Sequence, residues 1–368
     1  MFASTMITSL PPTMKRMVAG RDFGTVYQRA CIESWISAGF RIVSINSATE
    51  IEQLKPLAYP VSFVLSSNVR PGIGEFLDYA GRCHDDLVAI INADCFFLGY
   101  PSFVSGVRKG ARRGLVMVER VNIDPISLLP TGQTCLGFDA FFFAPSMARA
   151  ATIPRDLTVG QPWWDYWLPA AFAVENIELL RPQSPLVFHL DHEQGWSQDR
   201  WLKTGRTFLQ SFALLDDQKL PSFLAEVRRF ASEELASRED LGGFGDWCFN
   251  WLRDNSSYLE VSAEPTAAEL LGKILASITN FDGMHASTLA LAEARRNLAD
   301  LAALQAQGAN AALAEARRNL AALAALQAQG ASVAGGARRW RPSAVHARSV
   351  QLARRFAGRL IKALRKRV

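Results

Sequence analysis

Leu87-Val88-Ala89-Ile90-Ile91-Asn92-Ala93-Asp94 is an apolar, β-branched run that stops on a carboxylate. A run of this length reads as a strand buried on both faces, the usual centre of a parallel sheet. In open α/β sheets, ligands sit just beyond the carboxyl ends of the strands. Asp94 therefore stands where a metal ion or a substrate hydroxyl would be held. An Asp at a strand end also caps the following turn through nearby backbone N–H groups. The residues at the ends of the neighbouring strands weigh between the two.

Working outward, strands are predicted at Met6–Ser9, Arg41–Asn46, Val61–Leu65, Gly114–Val121, Phe138–Phe143, Ile177–Leu180 and Leu186–His189. Helical spacing predicts helices over Thr25–Ala38, Gly74–Arg82, Pro101–Ala111 and the tryptophan-rich Pro162–Val174. Ser47-Ala48-Thr49-Glu50 is a capping box: the Ser hydroxyl and the Glu carboxylate each satisfy a backbone N–H at a helix start. The alternation gives a doubly wound, Rossmann-like α/β sheet built from right-handed crossovers.

The polar ends of these strands converge. The first brings Ser9 and Thr13, then Lys15, Arg16 and Arg21, a basic group suited to phosphates. The second brings Asn46 and Ser47, a pair able to hold a base or ribose; the central strand brings Asn92 and Asp94. Asp94 offers hard oxygen to a divalent cation bridging a diphosphate.

Beyond Thr207 the pattern becomes helical. Leu291-Ala-Glu-Ala-Arg-Arg-Asn-Leu298 recurs as Leu313-Ala-Glu-Ala-Arg-Arg-Asn-Leu320, which reads as a duplicated helical spacer with Gly308 and Gly330 ending each copy. The chain of 368 residues carries a net charge of +5. Eleven of its 40 Lys and Arg lie between Arg338 and Val368, without an acid, leaving 29 against 35 acidic residues before them. Leu352, Phe356, Leu360 and Leu364 lie four apart among those arginines, which makes a basic amphipathic helix suited to an anionic membrane surface. A nucleic-acid tail competes on charge alone, but the apolar stripe disfavours it.

Composition excludes other classes. Five scattered cysteines without a CxxC argue against a disulfide framework and a zinc site, and suit a reducing compartment. No apolar run reaches a membrane span, and Met1–Leu10 is not a signal peptide, so a cytoplasmic location is expected, peripheral to the inner face of the membrane through the tail.

The ordered features resemble a bacterial glycosyltransferase of the GT-A fold, the nucleotide-diphospho-sugar transferases, over residues 4–205. Asn92-Ala93-Asp94 stands where that family has its DXD motif, with Asn in place of the first acid. Cys31-Ile-Glu-Ser-Trp35, Val43-Ser-Ile-Asn-Ser47 with Glu50-Ile51, Gly137-Phe-Asp139-Ala-Phe-Phe-Phe143, Gly160-Gln-Pro-Trp-Trp-Asp165 and His189-Leu-Asp-His192 carry the rest of the likeness. The resemblance implies transfer of a sugar from a nucleotide diphosphate sugar to a hydroxyl of a glycan, lipid-linked or protein acceptor, with Mn²⁺ or Mg²⁺. It also implies that a histidine beyond the motif, His189 or His192, completes the metal site with Asp94. Three residues apart on a strand, these two are expected on opposite faces.

Trp163 and Trp164 offer apolar faces to a sugar ring. Asp165, set among aromatic side chains, is expected to lose solvation and carry a raised pKa, as a general base toward an acceptor hydroxyl does. Asp139, on an apolar strand, is the second candidate. The predicted organisation is a transferase domain over 1–205, a helical region over 206–285, the repeat segment over 286–335 and the basic tail over 336–368. A nucleotidyltransferase on a similar sheet and a non-catalytic sugar- or partner-binding module are the alternatives.

Overall fold

A computed structural model describes residues 4–18, 21–97, 101–123, 130–151, 157–183, 186–192, 195, 197–216, 220–232 and 238–259. Strand β1 (Ser4–Thr8) leads to a loop and the hairpin β2 (Met17–Val18) and β3 (Arg21–Asp22). There follow α1 (Gly24–Ser37), β4 (Phe40–Asn46), α2 (Ala48–Leu54), β5 (Ser62–Leu65), α3 (Ile73–Arg82), β6 (Leu87–Ile91), β7 (Cys95–Phe97), α4 (Pro101–Ala111) and β8 (Gly114–Ile123). The chain continues through β9 (Pro130–Phe143), α5 (Pro145–Ala150), α6 (Trp164–Val174), β10 (Glu178–Pro182), β11 (Val187–Leu190), α7 (Gln198–Ala213), α8 (Pro221–Ser232), α9 (Arg238–Asp254) and β12 (Ser256–Leu259).

The main sheet has ten strands, ordered β12-β10-β8-β9-β6-β1-β4-β5, with β11 beside β8 and β7 beside β11. β1 lies parallel to both β4 and β6. β6 is fully buried as expected, yet its other neighbour, β9, is antiparallel. The sheet is therefore mixed, and β6 marks the boundary between its parallel half and the antiparallel β6-β9-β8 part. β8 is long enough for two parallel neighbours on one side: its first residues pair with β10 and its last with β11.

Alternation along β9 divides the core between the two faces. Phe142 packs on Phe40 and Phe97, and Phe97 meets Phe103 of α4. Phe141 and Phe143 point the other way, against Trp164 and Phe172 of α6. α6 is apolar nearly all round, the mark of a helix enclosed on every side; α7 and α9 pack on it, and α8 packs on α7. Phe208 and Phe212 of α7 and Phe244 and Phe249 of α9 belong to the same core as Ile90 and Phe141.

The boundary expected after residue 205 therefore falls inside α7, and the helices beyond it finish the core. β12 returns to the sheet beside β10, a strand that the helical pattern after Thr207 did not reveal. One compact unit comprises Met1–Arg16, Gly24–Ile123 and Pro130–Pro265; Met17–Phe23, with the β2–β3 hairpin, is assigned to a second. The repeat and the basic tail lie outside the described residues. No helix among the described residues is long and apolar enough to cross a membrane.

Candidate active site

The loop after β1 is held by side chains rather than by secondary structure. Asn46, fully buried at the end of β4, donates from Nδ2 to the Leu10 carbonyl at 2.8 Å and accepts from Ser44 Oγ at 2.5 Å. Ser44 Oγ in turn accepts from the Leu10 N–H at 3.0 Å. Gly24 lets the loop close on the start of α1: a Cβ there would stand 1.6 Å from the Met14 carbonyl oxygen. The loop so pinned delivers Arg16 to Asp94, with Nη2 at 2.5 Å from Oδ2.

Tyr27 of α1 fixes the other side. Its hydroxyl donates to the Asp94 carbonyl at 2.9 Å and accepts from the Leu190 N–H at 2.9 Å. One phenol thereby ties the turn after β6 to the end of β11. α1 also holds β7 directly, with Trp35 Nε1 donating to the Cys95 carbonyl and the Phe97 N–H donating to Ser34 Oγ.

That tie brings both histidines onto one carboxylate oxygen. His189 Nε2 lies 3.2 Å and His192 Nε2 3.5 Å from Asp94 Oδ2, and the two rings are 4.9 Å apart. The expected opposite facing does not hold, because β11 ends at Leu190 and His192 lies beyond the strand. Each ring nitrogen of His189 faces an oxygen: Nδ1 lies 3.2 Å from Asn122 Oδ1 and Nε2 3.2 Å from Asp94 Oδ2. Burial pushes the His189 pKa down, more than Asp94 raises it. Burial alone would raise the Asp94 carboxyl. His189, His192 and Arg16 outweigh it and hold that group well below the usual carboxylate range.

The ligand atoms of Asp94, His189 and His192 lie within 4.8 Å of one another, the span that two ligands on one ion reach at about 4 to 5 Å. A carboxylate with two imidazoles fits a divalent transition ion better than magnesium, which prefers an all-oxygen shell.

Asn92 does not join this group. Its Nδ2 donates to Asp139 Oδ1, and its N–H donates to the Asp139 carbonyl at 3.0 Å. Arg120 closes on the same carboxylate, with Nη1 at 3.3 Å from Oδ2 and 3.4 Å from Oδ1. Asp139 is thus a buried carboxylate held by Asn92 and Arg120 rather than one open to an acceptor.

Asp165 lies in the first turn of α6. Its Oδ2 rests against Gly137, where a Cβ would come within 2.5 Å and the backbone φ is +151°. Burial, then the charge of Asp139, lifts the Asp165 pKa to about 7 against the pull of its own and Tyr166's N–H groups and Arg120. Trp163, just before the helix at a left-handed φ of 76°, is anchored by its ring: it stacks on Phe244 and donates from Nε1 to the Trp201 carbonyl at 3.0 Å.

Other expectations are corrected. Trp163 and Trp164 are each 2% exposed and belong to the core, so neither presents a face to a sugar. Asn46 spends its amide inside the protein, and Ser47 caps α2 while Glu50 returns the bond, which leaves neither directed at a nucleobase. Ser9 is half-buried and Thr13 exposed on the β1 loop; Arg21 lies in the hairpin of the second unit. In the sequence Tyr27 reads as one position at helical spacing in Thr25–Ala38, and Arg120 and Asn122 carry no expected role. Arg120 and Asn122 had a visible sign, as polar residues that follow, with Glu119, on the apolar Leu115–Val118 run.

The described residues form a mostly parallel, Rossmann-like α/β sheet, with Arg16, Asp94, His189 and His192 gathered beyond the carboxyl end of β6. No family model and no curated protein matches the sequence. Among solved structures, the chain is similar to a mannosyltransferase of Pyrobaculum calidifontis in complex with GDP-Man and Mn²⁺, at 14% identity and TM-score 0.41 over 83% of this chain and 86% of that one. It is similar to S. aureus TarS at 9% identity and TM-score 0.40, over 68% of this chain and 81% of that one. A 4-diphosphocytidyl-2C-methyl-D-erythritol synthase from Anaerococcus prevotii is similar at 12% identity and TM-score 0.33, over 57% of this chain and 98% of that one.

Proposed function

We propose that the protein transfers a glycosyl group from a nucleotide diphosphate sugar to an acceptor hydroxyl, with a divalent cation held by Asp94, His189 and His192. The observation that carries this reading is the convergence of those three side chains and Arg16 on one oxygen at the end of β6. When bound, the ion supplies charge stabilisation to the departing diphosphate. Arg16, at the same place, adds a planar donor fork suited to phosphate oxygens.

Asp165 is the general base in this reading. Its pKa of about 7 lets it take the acceptor hydroxyl's proton near neutral pH. The acceptor oxygen then bonds to the anomeric carbon as the bond from that carbon to the diphosphate breaks. Asp139, held by Asn92 and Arg120, keeps Asp165 basic by its own charge. The acceptor is a glycan, a lipid-linked sugar or a protein.

Product analysis tests the reading. Incubation with nucleotide sugars, Mn²⁺ and candidate acceptors should release a nucleoside diphosphate. Release of pyrophosphate from a sugar phosphate and a nucleoside triphosphate would assign a nucleotidyltransferase instead. Binding without turnover would assign a sugar-binding module.

A further inference from the structure

We infer that Arg16 is an internal counter-ion that occupies the cation's place at Asp94 until a diphosphate draws it away, so that metal and donor bind together. This rests on the reading of Asp94, His189 and His192 as metal ligands. The Arg16 guanidinium lies 2.5 Å from Asp94 Oδ2, the oxygen that both histidines also face. It is not a passing surface contact. The Arg16 side chain is 6% exposed, its Nη1 donates to the Lys15 carbonyl at 2.8 Å, and its guanidinium lies 6.0 Å from the centre of the Tyr27 ring. The loop that carries it is fastened through Leu10, Asn46 and Gly24.

Charge makes the exchange compulsory. Asp94 and Arg16 together are neutral, and both imidazoles must be uncharged to serve as ligands. A divalent cation entering alone meets a guanidinium across one oxygen, and the single charge of Asp94 does not balance both. A diphosphate changes this. It accepts the guanidinium through paired N–H donors, which an ammonium cannot match in shape, and it shares its remaining charge with the ion. Each ligand therefore removes the obstacle to the other, and linkage requires the effect to be mutual. Without donor, the site resists stray metal.

Mn²⁺ alone is the probe, titrated by calorimetry and by paramagnetic resonance of the free ion, into the full chain without nucleotide. Arg16→Gln should bind Mn²⁺ about tenfold or more tightly than wild type, within the usual range of such couplings. Arg16→Lys, which keeps a cation, should stay close to wild type. Arg16→Met, which preserves the packing of the stem beside Tyr27, serves if the Gln variant does not fold, with the same expectation. Equal Mn²⁺ affinity in wild type and the neutral variants would overturn the exchange while leaving the metal site intact. If none binds Mn²⁺, or if Asp94→Asn binds it as well as wild type does, both the exchange and the metal site are wrong.

Discussion

At the scale of single residues, the carboxylates of Asp94 and Asp165 have opposite natures. Asp94 is kept ionised by His189, His192 and Arg16, whereas Asp165 is pushed toward neutrality by burial and by Asp139. Such a divergence is how one fold supplies an anion and a proton acceptor at the same pH. Asp165→Asn should keep nucleotide affinity and lower kcat by about two orders of magnitude or more, as loss of a general base does. The wild-type rate should climb with pH and level off above about 7, and the variant should lose that limb. The same substitution should stabilise the protein. Between its ordinary 3.8 and about 7, Asp165 keeps its proton when folded and loses it when unfolded, so wild-type stability falls as pH rises through that window. Thermal melts should therefore favour Asp165→Asn more at pH 8 than at pH 5. A wild-type rate in the variant would make Asp165 structural. Asn92 supports a second expectation at this scale. Restoring an acid, Asn92→Asp, removes the amide donor to Asp139 and sets two carboxylates face to face. Denaturant titration should show a loss of about 1–3 kcal/mol, with no gain in Mn²⁺ affinity; a tighter metal site would contradict the assignment of Asn92 as a clamp.

At the scale of elements, α1 organises the site although it carries none of Asp94, His189 and His192. Tyr27 joins β6 to β11 through two hydrogen bonds of 2.9 Å, and the histidines reach Asp94 because that joint holds. Tyr27→Phe leaves the Leu190 N–H and the Asp94 carbonyl without this partner. It should weaken Mn²⁺ binding about tenfold, as loss of supporting contacts behind metal ligands does, with the circular-dichroism spectrum unchanged; undiminished affinity would show that β11 needs no such tie. The elements also explain what the sequence disclosed. β6 and its terminal Asp94, the capping box at Ser47, and α3 and α4 were legible because burial and capping leave local patterns. Pairing direction was not: the aromatic β9 reads alike beside a parallel or an antiparallel neighbour, and it proved antiparallel to β6. Trp163 and Trp164 misled for a related reason. A tryptophan serves a core or a sugar equally well, and the partners that decide it, Phe244 and Phe141, are distant in sequence. Tyr27 looked like one more apolar position on a helix face, since its two partners come from β6 and β11.

At the scale of the whole molecule, the described helices beyond residue 205 are structural rather than appended, because they bury the same residues that the sheet presents. The basic segment from Arg338 to Val368 is a separate matter of charge and apolar spacing. Its expected role at an anionic membrane predicts that sedimentation with anionic liposomes falls when the segment is deleted and when salt is raised. Equal sedimentation with and without it would remove that role. The central claim concerns Asp94 and is tested by melting. Uridine, guanosine, cytidine and thymidine diphosphates, each with and without Mn²⁺, should include one that raises the melting temperature, and more so with the metal. Saturation a hundredfold above the dissociation constant adds about 2.7 kcal/mol, a shift of several degrees for a domain of this size. Asp94→Ala should erase the metal-dependent part and keep a smaller remainder. No shift with any nucleotide, or a metal-dependent shift that survives Asp94→Ala, would contradict the account.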